Sequence, residues 1–110
     1  MFNIINRNTI ITYADQYPNA QNALFEWYYE FLSSDFKNFQ ELKSIYASAS
    51  LVGDDRVVLN VMGNHYRLVI RVLFVYKTIQ VKWFGTHNEY NKIDVATVKF
   101  QIITHESANY

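Results

Sequence analysis

The sequence predicts an α+β fold, with two or three N-terminal helices packed on one face of a small antiparallel sheet and a short helix after the last strand. Three observations predict it. Apolar residues recur at helical spacing up to about residue 46 and alternate from residue 56 onward, the periods of a helix face and of a half-buried strand. The one proline, Pro18, lies in the first part, whereas Gly53, Gly63 and Gly85 punctuate the rest. At 110 residues, half of them hydrophobic and 18% charged, the chain suffices for one core but not two, so residues 1–110 read as a single domain.

Taken in order, "FNII" is short and apolar, fit for an edge strand. Asn8 suits the N-cap of a helix to about Tyr17, with Ile10, Tyr13, Ala14 and Tyr17 at helical spacing. Pro18 interrupts it, and Asn19 can cap a second helix to about Leu32, whose stripe is Ala20, Leu24, Trp27 and Phe31. Residues 35–46 repeat the pattern weakly as a third short helix or an irregular segment, and "SASLVGDD" reads as a loop. "RVVLNV" then puts Val57, Leu59 and Val61 on one face, and Arg56, Val58 and Asn60 on the other. Met62, Gly63 and Asn64 make a tight turn, since Gly and Asn tolerate positive φ. "HYRLVIRVLF" sets Tyr66, Leu68, Ile70, Val72 and Phe74 against His65, Arg67, Val69, Arg71 and Leu73. "IQVKWF" sets Ile79, Val81 and Trp83 against Gln80, Lys82 and Phe84. Such alternation predicts a meander with one face under the helices and one face open.

The formal net charge is zero, but its distribution is uneven. Residues 1–55 carry three cations against seven carboxylates, while residues 56–92 carry six cations against Glu89 alone. The expected open face collects Arg56, Asn60, His65, Arg67, Arg71, Gln80, Lys82 and Phe84, with four cations and no carboxylate. Like charges across strands oppose pairing, so a one-sign face bears a cost that a polyanion would explain. A plain solvated face and a surface for an acidic protein partner stand beside that reading.

The stretch "WFGTHNEYNKID" closes the meander. Gly85 ends the strand, and Thr86 with Glu89 forms the T-x-x-E pattern of a capping box. A helical turn follows, with His87 at its first position and Tyr90 three residues on, on roughly the same side. Capping requires neither His87 nor Tyr90. Their ordinary fates would be a half-buried histidine bonded to backbone and a packed tyrosine. Other chemistries drop out. There is no cysteine, so disulfides, thiolate zinc sites and thiol nucleophiles are excluded, and His87-x-Glu89 lacks the P-C-x-x-C partner of a zinc deaminase. His65, His87 and His105 are too scattered for a metal site, and no phosphate-binding glycine loop or G-x-S-x-G elbow occurs. No secretory h-region is present, and the longest apolar run, "LVIRVLFVY", is broken by Arg71 and too short to cross a bilayer, so the cytoplasm is expected.

"LVGDDRVVLNVMGNHYRLVIRV" followed by "VKWFGTHNEYNKID" resembles the HigB family of bacterial toxin–antitoxin toxins. "IIN", "YADQYPNA", Trp27 and "FKNFQELKSIY" extend the resemblance to about residues 2–97, with Tyr13 where Phe is common. Its specific motifs are G-N-x-Y-R at 63–67 and G-T-H-x-x-Y at 85–90; residues 98–110 stay unassigned. The resemblance implies a RelE-like fold and endoribonucleolytic cleavage of mRNA, typically at the ribosome, without a metal cofactor. It also implies a HigA helix-turn-helix antitoxin as partner, with operator DNA reached only through that antitoxin. The alternative is a non-catalytic member of the same fold that binds RNA or antitoxin.

Metal-free RNA cleavage uses the 2′-hydroxyl as nucleophile, so side chains must take its proton, stabilise the phosphorane charge and serve the leaving 5′-oxygen. Carried onto this chain, Arg67 of G-N-x-Y-R would clamp the scissile phosphate with its bidentate fork. His87 would be general acid or base, and Tyr90 would position the phosphate or assist proton transfer. Lys82 and Arg71 would stabilise charge and hold flanking phosphates. Arg71 lies about 13 Å along the strand from Arg67, so the two would serve different phosphates. Arg56, Asn60, Asn64 and His65 complete the expected RNA contacts, with Asn64 equally readable as a turn residue. Phe84 would stack a base, or else stay a partly covered aromatic.

Overall fold

The computed structural model describes residues 1–98 apart from Asn6 and Asp54. Lys99 to Tyr110, including His105 and nearly all of the unassigned tail, lie outside the described residues. The elements run β1 (Asn3–Ile5), α1 (Arg7–Gln16), a 3₁₀ turn (Pro18–Ala20), α2 (Gln21–Ser33), α3 (Phe39–Ile45), β2 (Ser50–Val52), β3 (Arg56–Val61), β4 (Tyr66–Leu73), β5 (Thr78–Thr86) and α4 (His87–Tyr90). The five strands are ordered β1-β5-β4-β3-β2. The expected α+β architecture and helix after the last strand are present, in a sheet that is mixed rather than antiparallel. The helical layer carries the chain across before it returns, so β1 lies parallel to β5.

Local chemistry explains most boundaries. The Asn38 side chain accepts from the Glu41 amide at 2.9 Å and starts α3. At α4 the capping box is complete: the Thr86 side chain accepts from the Glu89 amide, and the Glu89 carboxylate from the Thr86 amide. Three readings are corrected. Asn8 lies inside α1, which begins at Arg7. Asn19 does not cap α2, because Pro18 opens a 3₁₀ turn that hands the cap position to Ala20 without a side-chain bond. "SASLVGDD" contains β2, antiparallel to β3.

The larger core lies between helices and sheet, where Ala20, Leu24, Trp27 and Phe31 meet Val57, Leu59, Leu68, Ile70, Ile79 and Val81. Strict alternation fails in β5. Ile70 pairs with Val81 but Val69 pairs with Trp83, so Lys82 is an extra residue, a β-bulge. The bulge inverts the phase beyond it. Phe84, expected on the open face, is 1% exposed in the helix-side core, while Trp83 turns to the other face.

The supposedly open face is therefore partly closed. Val58, Val69 and Trp83 form a second small core, roofed by Tyr90, Ile93, Val95 and Val98 as the chain after α4 crosses the sheet like a strap. Nor is the face of one sign. Arg56 and Arg71 are directly opposite, but the Arg71 Nε donates to Asp55 at 2.6 Å. The Arg56 Nη1 donates to the carbonyls of Val95 and Val98, tying the strap down.

Gly85 sits where this packing is tightest. A Cβ there would stand 2.5 and 2.7 Å from the Trp83 indole and 2.9 Å from the Glu89 carboxylate. Gly85→Ala is expected to destabilise the fold by about 1–3 kcal/mol through overpacking, measured by urea unfolding.

Candidate functional site

The site forms where the β3–β4 turn, the end of β5 and the α1–α2 junction converge. Met62 and Gly63 both take left-handed φ, +53° and +65°. For methionine that conformation costs about 1–2 kcal/mol, a strain the turn holds in place. The turn delivers Asn64 and His65 to the start of β4, and the His65 carbonyl accepts from the His87 amide at 2.9 Å. So α4 is tied to the hairpin it faces.

Arg67 is the centre of this geometry. It is a cation left only 9% exposed. Its Nη2 donates to Asn64 Oδ1 at 2.6 Å, and its Nη1 to the carbonyls of Tyr66 and Asn64 at 3.1 and 3.3 Å. The second Nη2 contact is His87 Nδ1, at 2.7 Å. A guanidinium has no acceptor, so Nδ1 must be accepting; the imidazole is neutral in this arrangement and carries its hydrogen on Nε2. The guanidinium carbon lies 5.9 Å from the centre of the Tyr90 ring, in cation–π range, and Tyr90 leans on Trp83 at 6.3 Å.

A further set of contacts holds α4 from the helical layer. The Tyr17 hydroxyl donates to Glu89 Oε1 at 2.7 Å, the same oxygen that receives the Thr86 amide. Burial, then the hydrogen bond and charge of Glu89, push the Tyr17 hydroxyl well above the ordinary tyrosine range, so it remains a donor. Its ring packs edge-on against Tyr66 and Phe84, which stack on each other at 5.4 Å.

In front of His87 opens a cleft of about 690 Å³. Asn19, Met62, Asn64, His65, Tyr66, Thr86, His87 and Asn88 line it, with no carboxylate among them. Of the predicted site residues, Asn64, His65 and His87 line this cleft, while Arg67 and Tyr90 are not in its wall. Arg67 is joined to it by its contacts with Asn64 and His87, and Tyr90 by its ring against Arg67. Asn60 is exposed, opposite Arg67 on the neighbouring strand. Lys82, Arg56 and Arg71 line a separate pocket of about 420 Å³ with Asp55, so Lys82 is not on the wall that holds His87. Asn19, Met62, Asn88 and the Tyr17–Glu89 pair were missed by sequence reasoning. Asn19 did carry a signal, but its amide was assigned to capping. No group of His, Asp or Glu among the described residues could hold a metal ion, and none of their helices is long and apolar enough to cross a membrane.

Helices on one face of a five-strand mixed sheet, with a short helix after the last strand, define a RelE-like toxin fold. The chain belongs to the HigB toxin family, the RelE-like toxic component of a toxin–antitoxin system, whose family model matches residues 20–93. That membership implies an antitoxin partner. No curated protein matches the chain.

Two measurements probe this geometry. In the free protein, long-range proton–nitrogen NMR correlations should show His87 as the Nε2–H tautomer; an Nδ1–H ring would mean that Arg67 is not its partner. Tyr17→Phe should cost about 1.5–3 kcal/mol in thermal unfolding, the worth of a hydrogen bond to a carboxylate.

Proposed function

We propose that this toxin is an mRNA endoribonuclease, working on the ribosome in the cytoplasm, and that a HigA-type helix-turn-helix antitoxin neutralises it and alone contacts operator DNA. The observation that carries the reading is the 2.7 Å contact between the buried Arg67 and His87, with His87 itself lining a cleft that has no carboxylate in its wall. A fixed cation beside an imidazole supplies charge stabilisation and proton transfer without a metal.

The chemistry follows from acceptor strength. A phosphate oxygen is anionic and outcompetes a neutral imidazole for a guanidinium hydrogen. The scissile phosphate would take the Nη2 donor from His87 and release Nδ1. Nδ1 would then accept the proton of the 2′-hydroxyl as that oxygen bonds to phosphorus. The bond to the 5′-oxygen breaks, and the imidazolium returns the proton to it, leaving a cyclic phosphate and a free 5′-hydroxyl. Tyr90 would hold the guanidinium in place through its ring and turn its hydroxyl to the phosphate. Asn60, Asn64 and His65 would contact the nucleotides nearby. Arg71, Lys82 and Arg56, in their own pocket, would serve flanking phosphates rather than the reacting one.

One observation favours a second reading. The internal partners of Arg67 occupy most of its five donors, as suits a non-catalytic member that binds RNA or antitoxin by this face. The two readings separate on induction in cells followed by mapping of mRNA 5′ ends. The nuclease should create new ends within coding sequences, and His87→Ala should reduce them at least about 100-fold, the usual worth of a general acid–base. Growth arrest without new ends would favour the binding reading.

A further inference from the structure

The cleft has an amide rim that the proposed cleavage chemistry does not use. Asn19 comes from the 3₁₀ turn between α1 and α2, and Asn88 from the second position of α4, on opposite sides of the fold's helix–sheet boundary. Both are exposed, and neither side chain has a hydrogen-bond partner among the described residues. Asn19 is not spent on capping, since Ala20 holds that position. His65, also exposed, stands on the hairpin side of the same cleft. Met62, exposed and also in the lining, has a left-handed backbone that methionine adopts only at a cost.

We infer that this rim is a base-reading subsite: Asn19 and Asn88 hydrogen-bond the edge of one unpaired nucleobase whose phosphate lies at Arg67. The inference rests on the nuclease reading for the placement of that phosphate. An amide sets a donor NH₂ and an acceptor oxygen side by side in one plane, which is the complement of a base edge and discriminates among bases. A single-stranded base splayed from its neighbours exposes both its edge and its faces, and the flexible thioether of Met62 covers a face without demanding one base shape. The lining holds no carboxylate to repel the attached phosphate. Bases would therefore be sorted by two amides, one from the helical layer and one from α4, while Arg67 and His87 handle the phosphodiester.

The test compares the toxin with a double variant, Asn19→Ala with Asn88→Ala, both exposed positions whose melting temperature should match the parent. Each is induced in cells for the cut maps and purified without antitoxin for the binding measurements. The first readout is the base distribution flanking mapped cut sites. The parent should show a bias at one position beside the cut, and the variant should lose about tenfold of it, the worth of one amide–base pair. Cuts with an unchanged distribution would overturn the inference while leaving the nuclease reading intact. The second readout needs no cleavage: affinities for four homopolymeric 2′-O-methyl tetranucleotides, which lack the nucleophilic hydroxyl. The parent should prefer one of them by about tenfold, and the variant should bind all four alike. Equal affinities in the parent, or a preference kept by the variant, would overturn the subsite even if no RNA is ever cut.

Discussion

A permanently charged guanidinium held almost out of water sets the terms for the rest of this structure. Removing an ion of that kind from solvent costs several kcal/mol unless its donors are met. The neighbourhood of Arg67 is arranged accordingly: Asn64 in the β3–β4 turn offers its side-chain oxygen and its carbonyl, Tyr66 at the start of β4 a second carbonyl, and α4 an imidazole. The left-handed pair Met62–Gly63 keeps Asn64 within reach. The capping box, braced by Tyr17, starts α4 where His87 can reach back. A short turn and a single helical turn would be weak elements alone. Sharing one cation makes each a condition of the other.

The bulge at Lys82 has the second-largest consequence. By inverting the phase of β5 it buries Trp83 on the far face and Phe84 under the helices. An indole on the far face must be covered, and the strap after α4 covers it, anchored by Arg56. The strap divides what would be one cationic surface into two sites, the cleft at His87 and the pocket of Arg56, Arg71 and Lys82. Charge on a strand face thus tells where cations start, not how far they remain available.

This is also the measure of what the sequence made legible. Helix stripes, strand alternation and the T-x-x-E box depend on neighbours a few residues apart, and those readings match the structure from Leu24 to Phe31 and from Val57 to Val72. The faces of Trp83 and Phe84 did not, because a bulge is a property of two strands and leaves no trace in one. The hairpin G-N-x-Y-R and the turn T-H-x-x-Y were visible as motifs. The resemblance implied that Arg67 and His87 serve one phosphate, but the direct contact between them was not legible, being set by the register that pairs Arg67 with Gly85. Asn19 was misread for a simpler reason: an asparagine beside a helix start is usually its cap, and here Pro18 moved the start by one residue.

Among the partners of Arg67, the imidazole differs from the others in kind. The carbonyls of Asn64 and Tyr66 are backbone and can leave only if the hairpin changes shape, and the Asn64 side chain springs from that same hairpin. His87, by contrast, reaches across from α4 and can leave by rotating its ring. It is also the acceptor that an arriving anion most readily replaces at modest conformational cost. On the nuclease reading, the residue that fills the last place around a buried charge is the one whose displacement starts the reaction. Without a phosphate the ring satisfies the arginine and has no lone pair to spare, so on that reading the same contact that stabilises the free toxin would also hold it idle. The substrate would therefore bring more than the bond to be cut: its charge would release the base.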